Sequence, residues 1–208
     1  MLLTHKPLTR ISLDQYEERR IHLYEKGDKI PVTTQGVWQV CRGLVQLSTF
    51  HSTGEEILLG WAPPETAFGT WHTTLSGYQA KAVSDVYLKW YSLSEIERSP
   101  NLGRILLGQL GQRMRQTEAI LAIAGLKRVE DRLQQLLFLL KTELGQPVPG
   151  GTRLIARFTH QTLANAIGTT RVTMTRLLGK LQREGYITLD SDRHLIIQDS
   201  FFKDLAIS

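Results

Sequence analysis

The stretch Thr169–Arg176, TTRVTMTR, sets two arginines five residues apart, with a valine beside the first and threonines around them. Arginine is planar, permanently charged and forked, so it can bond bidentately to O6 and N7 of a guanine. A valine side chain suits the methyl group of thymine, and threonine hydroxyls suit phosphate oxygens. Read as a helix, this stretch and its continuation place Met174, Leu177, Leu178 and Leu181 at i, i+3, i+4 and i+7, a buried stripe. At about 100° per residue, Val172 lies roughly 160° from Met174, and Arg176 about 40° from Val172. Arg171, Val172 and Arg176 therefore face away from the stripe, flanked by Thr170 and Thr173. The chemistry indicated is base reading by Arg171, Val172 and Arg176, with phosphate contacts from Thr170 and Thr173. The alternatives are a solvated face with one exposed valine, or a helix-turn-helix used for protein contacts.

Positioning such a helix takes several elements. Thr159 is an N-cap for a first helix whose apolar residues are Leu163, Ala164 and Ile167. Gly168 ends that helix where a left-handed residue is needed, and Thr169–Thr170 cap the next. YITLDSDRHLIIQD then reads as a hairpin reversing at Asp190–Arg193, which completes a winged helix-turn-helix. Before it, RVEDRLQQLLFLLKTELG is a helix that ends at Gly145 and opens into a PVPGG loop.

Residues 101–126 form a longer helix. Leu106, Leu110, Met114, Thr117, Leu121 and Ala124 recur at spacings of four and three, close to a heptad seam. A homodimer contact fits this seam, with packing on the chain's own domain as the alternative. Residues 21 to about 92 are short apolar or alternating runs separated by turn signals, the pattern of an all-β sandwich or barrel. Cys41 falls in one of these runs and reads as a buried strand residue. The expected class is α+β. A β-roll occupies residues 1–100, a dimerisation helix 101–126 and a winged helix-turn-helix 127–208.

With 208 residues and a net charge of +5, the chain can bury a core in each of two domains and accept a polyanionic partner. From Lys127 to Arg193 it carries Arg128, Arg132, Arg153, Arg157, Arg171, Arg176, Lys180 and Arg183, whereas Ile30–Ala80 holds no lysine and only Arg42. A single cysteine excludes an intrachain disulfide. No apolar run is long enough to span a membrane, and the N-terminus has no secretory h-region, so a cytoplasmic protein is expected. There is no metal-ligand cluster, phosphate loop or nucleophile elbow, so an enzyme is not expected.

The block Phe158–Gln198 resembles the DNA-binding domain of the CRP/FNR family of bacterial transcription factors. The β-rich region and the long helix resemble that family's effector domain and dimerisation helix. Within the family, THQTLANAIGTTRVTMTRLLGKL is most similar to the cyanobacterial global nitrogen regulators (NtcA-like proteins). The resemblance implies base reading at Arg171 and Arg176, and phosphate contacts at His160, Gln161, Thr170 and Thr173. Many members carry glutamate where this chain and the nitrogen regulators carry Val172. It also implies a homodimer on double-stranded DNA, a GTA-like half-site and RNA polymerase as a further partner. The competing expectation is a metabolite sensor whose helix-turn-helix serves protein contacts.

The resemblance places an effector pocket at Phe68, Gly69, Thr70, Trp71, Tyr78, Lys81, Thr117 and Arg128. Cyclic AMP is not expected, because FGTW replaces the segment that carries the family's glutamate and Ser76–Gly77 stand where Arg–Ser is needed. The sequence shows no buried cation or hydrogen-bond cluster to replace the water around an anion. 2-Oxoglutarate fits Phe68–Gly69 and Arg128, although Tyr78 takes the place of an expected arginine, with Lys81 close by. Cys41 alone cannot hold an iron–sulfur cluster, and His72 alone is a poor basis for haem. Trp61 and Trp71 are read as aromatics filling the pocket.

Overall fold

The structure, a computed structural model, describes residues 21–205. The N-terminal stretch read above as lacking a secretory signal lies outside the described residues. The chain divides into two compact units, one holding residues up to Leu47 and Trp61–Met114, the other Ser48–Gly60 and residues from Arg115 on.

The β-rich part contains β1 (Ile21–Tyr24), β2 (Lys29–Ile30), β3 (Gly36–Arg42), β4 (Val45–Phe50), β5 (Glu56–Ala62), β6 (Ala67–Phe68), β7 (Gln79–Ala82) and β8 (Val86–Ser92). They form two four-stranded sheets, ordered β1-β8-β3-β6 and β2-β7-β4-β5. In the first sheet Trp38 of β3 is opposite Trp90 of β8 and Phe68 of β6. A register shift between Val40 and Arg42 makes Cys41 the extra residue of a bulge. This corrects the reading of Cys41 as buried: it is exposed.

A six-residue helix, α1 (Leu93–Arg98), follows β8. It opens on a capping box in which the Ser92 hydroxyl accepts from the Glu95 N–H and the Glu95 carboxylate accepts from the Ser92 N–H. The long helix α2 spans Pro100–Ala124. Leu102 and Leu106 bury against Val37, Ala67 and Tyr91. This corrects the proposed seam, because Leu106 belongs to the core of its own unit. Leu107, by contrast, is 69% exposed, and Met114 and Leu121 are exposed as well. Leu107, Leu110, Met114, Thr117, Leu121 and Ala124 then repeat at alternating spacings of three and four.

The second unit continues with α3 (Val129–Leu144), β9 (Gly145–Val148), β10 (Gly151–Leu154), α4 (His160–Ala166), α5 (Arg171–Arg183), β11 (Ile187–Leu189), β12 (Leu195–Gln198) and α6 (Ser200–Leu205). Gly145–Val148, expected as a loop, pairs antiparallel with β10 instead. A side chain at Gly145 would meet the Lys141 carbonyl at 2.2 Å, so the tight helix-to-strand passage requires glycine. The resulting sheet is ordered β11-β12-β10-β9. Its core is apolar: Leu133, Leu136, Leu137 and Leu140 from α3, Leu154, Leu163, Met174, Leu178 and Ile197 are all buried.

Candidate nucleic-acid interface

α4 begins at His160 because Thr159 adopts the extended N-cap conformation and its hydroxyl accepts from the Thr162 N–H. The helix ends at Ile167, and Gly168, at φ +60°, reverses the chain in the left-handed region. Thr170 then caps α5, its side chain accepting from the Thr173 N–H. Leu163, Ala164, Met174, Leu177 and Leu178 bury and pack the two helices together. Leu181, the fourth residue of the expected stripe, is half-buried.

The opposite face of α5 is open. Arg171 and Arg176 are exposed, and Val172 is 79% exposed, more than any other large hydrophobic side chain among the described residues. Leaving a valine in water forfeits the transfer energy of its burial, which is about 1.5–3 kcal/mol for such a side chain. Around it stand the polar groups expected there. His160 and Gln161 are exposed at the start of α4, and Thr170 and Thr173 lie at the N-terminus of α5. The Thr170 hydroxyl bonds that of Thr173 at 3.1 Å. Gln161 bonds Asn165 at 2.7 Å, and Asn165 meets Glu56 at 3.5 Å. The first turn of α5 carries no acidic side chain, so its N–H groups other than that of Thr173 and its partial positive charge remain available to an anion.

Behind the helices, β11 and β12 form the wing. Arg193 at the reversal adopts φ +61° and is exposed. Asp190 pairs with Arg153 of β10 and accepts from the His194 N–H at 2.8 Å. Desolvation raises the Asp190 pKa, but the bonds from Arg153 and His194 and their charges together outweigh it and hold the carboxyl below its ordinary value. His194 in turn bonds the Leu154 carbonyl at 2.8 Å.

A Crp-like helix-turn-helix domain model matches residues 131–200. A transcriptional regulator of the CRP/FNR family from Thermus thermophilus superposes with a TM-score of 0.70 at 27% identity, covering 90% of this chain and 98% of that one. The global nitrogen regulator of Synechocystis sp. is 32% identical over 162 residues, 74% of this chain and 72% of the relative. The chain belongs to the CRP/FNR family. The regulatory protein CysR of Synechococcus elongatus is also similar, 33% identical over 81% of this chain and 79% of its own. The chain is a CRP/FNR-type transcription regulator with a DNA-binding helix-turn-helix, preceded in sequence by a β-rich domain with a cyclic-nucleotide-binding-like fold. No helix among the described residues is long and apolar enough to cross a membrane.

The first unit of this CRP/FNR chain holds a polar cluster that differs from the expected effector pocket. Phe68 and Gly69 are buried at the end of β6, as is Tyr78. The Thr70 hydroxyl is buried and meets no hydrogen-bond partner within bonding distance, and the Tyr78 hydroxyl is buried with the Gly69 N–H beside it. Arg113 of α2, only 7% exposed, donates to the Trp61 carbonyl at 3.3 Å. Burial pushes the Tyr78 phenol up to about 12, against the lowering pull of Arg113 and the Gly69 N–H. Desolvation, and then the Arg113 charge, hold the His72 imidazole below its ordinary value. The reading that the sequence offers no buried cation is thus corrected: Arg113 is that cation.

The other expected pocket residues are Lys81, Trp71, Thr117 and Arg128. Lys81 is exposed on β7, with the buried Ala80 and Ala82 on either side. Trp71 is 40% exposed, whereas Trp61 is fully buried. Thr117 is exposed on the open face of α2. Arg128 is the N-cap of α3, beside a cavity of about 480 Å³ that Glu130, Asp131 and Lys180 also line. The sequence carries Arg113 on a second periodic stripe of α2, and spacing alone does not say which stripe is buried. Leu102, Leu106, Gln109, Arg113, Gln116 and Ile123 are all buried on one face of α2. This stripe lies one residue, about 100°, from the open one.

Proposed function

We propose that the chain acts as a homodimer that reads a pseudo-palindromic DNA site, each subunit placing α5 in one major groove. The observation that carries this reading is Val172, 79% exposed between exposed Arg171 and Arg176, on a helix whose opposite face is buried. Nothing in the packing of the second unit needs an apolar side chain there, whereas a thymine methyl does. Arg171 and Arg176 read base edges. His160, Gln161, Thr170 and Thr173 meet phosphates. The open stripe of α2 from Leu107 to Ala124 pairs the subunits and sets half-sites about one helical turn apart.

The nitrogen regulators among the relatives favour a GTA-like half-site. The β-roll to residue 100, the α2 seam and the winged helix-turn-helix from 127 divide the work into sensing, pairing and reading. An effector, where one is used, binds in the first unit at Arg113, Tyr78 and Thr70. A small carboxylate such as 2-oxoglutarate is the fitting chemistry, because a buried guanidinium and two buried hydroxyls replace the water of an anion. Action in the cytoplasm on RNA polymerase follows from the same family reading.

Selection of bound sites from random DNA, with and without 2-oxoglutarate and cyclic nucleotides, tests this reading. Recovery of an inverted repeat supports it. Equal retention of all sequences sinks base reading, and a single half-site sinks the dimer.

A further inference from the structure

The face of α5 that meets α4 holds one residue with no role so far. Thr175 is exposed, and its hydroxyl lies 2.8 Å from Nδ1 of His160 and 2.9 Å from the carbonyl of Arg171. It therefore ties an expected phosphate contact on one helix to the first turn of the other. A hydroxyl has one proton to give. Donation to the carbonyl four residues back is the habitual bond of a helical threonine, and the geometry has it here. Oγ1 must then accept from the imidazole, so the proton of the neutral ring sits on Nδ1. Nε2 is left with a lone pair.

We infer that Thr175 is a positioning residue that fixes His160 in its Nδ1–H form, so that His160 can bond a DNA phosphate only as the imidazolium. The inference rests on the DNA-reading function proposed above. A phosphate oxygen accepts hydrogen bonds and donates none, so the lone pair on Nε2 repels it until a second proton arrives. Association with DNA then takes up a proton at His160. Charges near the ring set the contrast between the free and bound states. α5 carries Arg171, Arg176, Lys180 and Arg183 and no carboxylate, and α4 carries no charged side chain of its own. Arg157 precedes α4, and the carboxylate bonded to α4 is Glu56, which reaches Asn165, five residues beyond His160. Cations dominate this face. The DNA phosphate reverses that field and favours the second proton.

The test uses the full-length protein and a duplex recovered by selection from random DNA, with a scrambled duplex beside it. Affinity is measured from about pH 8 to 6 at fixed ionic strength. In the wild type it should rise on acidification, by at most about tenfold per pH unit for one proton. His160→Gln should bind more weakly with no such slope. Thr175→Val frees the ring to take its other tautomer and should lose most of the slope, while Thr175→Ser should keep it. A wild-type profile parallel to that of His160→Gln, or a full slope in Thr175→Val, overturns the inference while leaving DNA reading intact. Ring-nitrogen NMR of the free protein tests it without DNA. It should find the proton on Nδ1, and a proton on Nε2 with a bare Nδ1 overturns it. Failure to prefer the selected duplex over the scrambled one would instead sink DNA reading, and the inference with it.

Discussion

Leu106 and Leu107 are consecutive on α2, yet Leu106 is 6% exposed and Leu107 is 69% exposed. A rotation of about 100° separates the two side chains, and with them two stripes of the same helix. One stripe is buried and carries Leu106 and Arg113. The other runs from Leu107 to Ala124 and lies open. A row of exposed leucine and methionine at heptad spacing is what a second helix covers in a coiled coil.

Leu107→Asp with Leu121→Asp should therefore convert a dimer to a folded monomer and abolish binding to a two-half-site duplex. Sedimentation and circular dichroism check the two halves of this outcome. Leu106→Ala should behave differently, lowering stability by about 2–5 kcal/mol while the folded fraction stays dimeric. A monomeric wild type, or a dimer untouched by the double substitution, refutes the seam.

Val172 and Arg176 separate specificity from stability. Val172→Glu changes an exposed position and should leave stability within about 0.5 kcal/mol. It should change the preferred base beneath it, since a carboxylate accepts from the cytosine amino group and has no use for a thymine methyl. Arg176→Ala should cost about 1–3 kcal/mol on the selected site and relax the preference at one base pair. Site selection with each variant reads this directly. Uniform weakening on every sequence would mean that Arg176 touches phosphate alone.

The winged helix-turn-helix was legible because its signals are local. The caps Thr159 and Thr170, the turn at Gly168 and the stripe from Met174 to Leu178 each act within one helix or turn, and each has its expected role in the structure. The capping box that starts α1 was equally local: Ser92 and Glu95 write it in the sequence. The buried polar cluster around Arg113 was not, because it depends on contacts across long sequence separations. Arg113 meets Trp61 from fifty-two residues away, and periodicity alone does not say which of two adjacent faces of α2 is buried. Cys41 shows the same limit, since alternation continues on paper through a bulge that turns the residue outward.

The wing has its own acid dependence. The folded-state pKa of Asp190 lies below its ordinary value, so the folded protein binds fewer protons there than the unfolded chain. Its contribution to stability is full above the ordinary carboxylate range and disappears as pH falls through the lowered folded value. Asp190→Asn should lower the melting temperature at neutral pH, and the gap should close on acidification. Thermal melts from pH 7 downward measure this, and a gap that does not depend on pH would show that the charge is irrelevant.

Arg113→Met tests the buried cation. Methionine fills similar space without a charge, so the fold should survive, as replacement of a buried ion by an apolar side chain often costs little. Two readouts should change together. His72 titration, followed by NMR, should move upward, because the Arg113 charge is one of the two influences that lower it; desolvation, the larger, keeps it from reaching the ordinary value. Calorimetric binding of 2-oxoglutarate, if seen in the wild type, should vanish, since the Tyr78 and Thr70 hydroxyls alone cannot replace the hydration of a dianion. Site-specific DNA binding without effector should persist, because Arg113 is on α2 and the reading face is built by α4 and α5. If carboxylate binding survives Arg113→Met but is lost in Arg128→Met, the effector site belongs at the N-cap of α3, as the sequence first suggested.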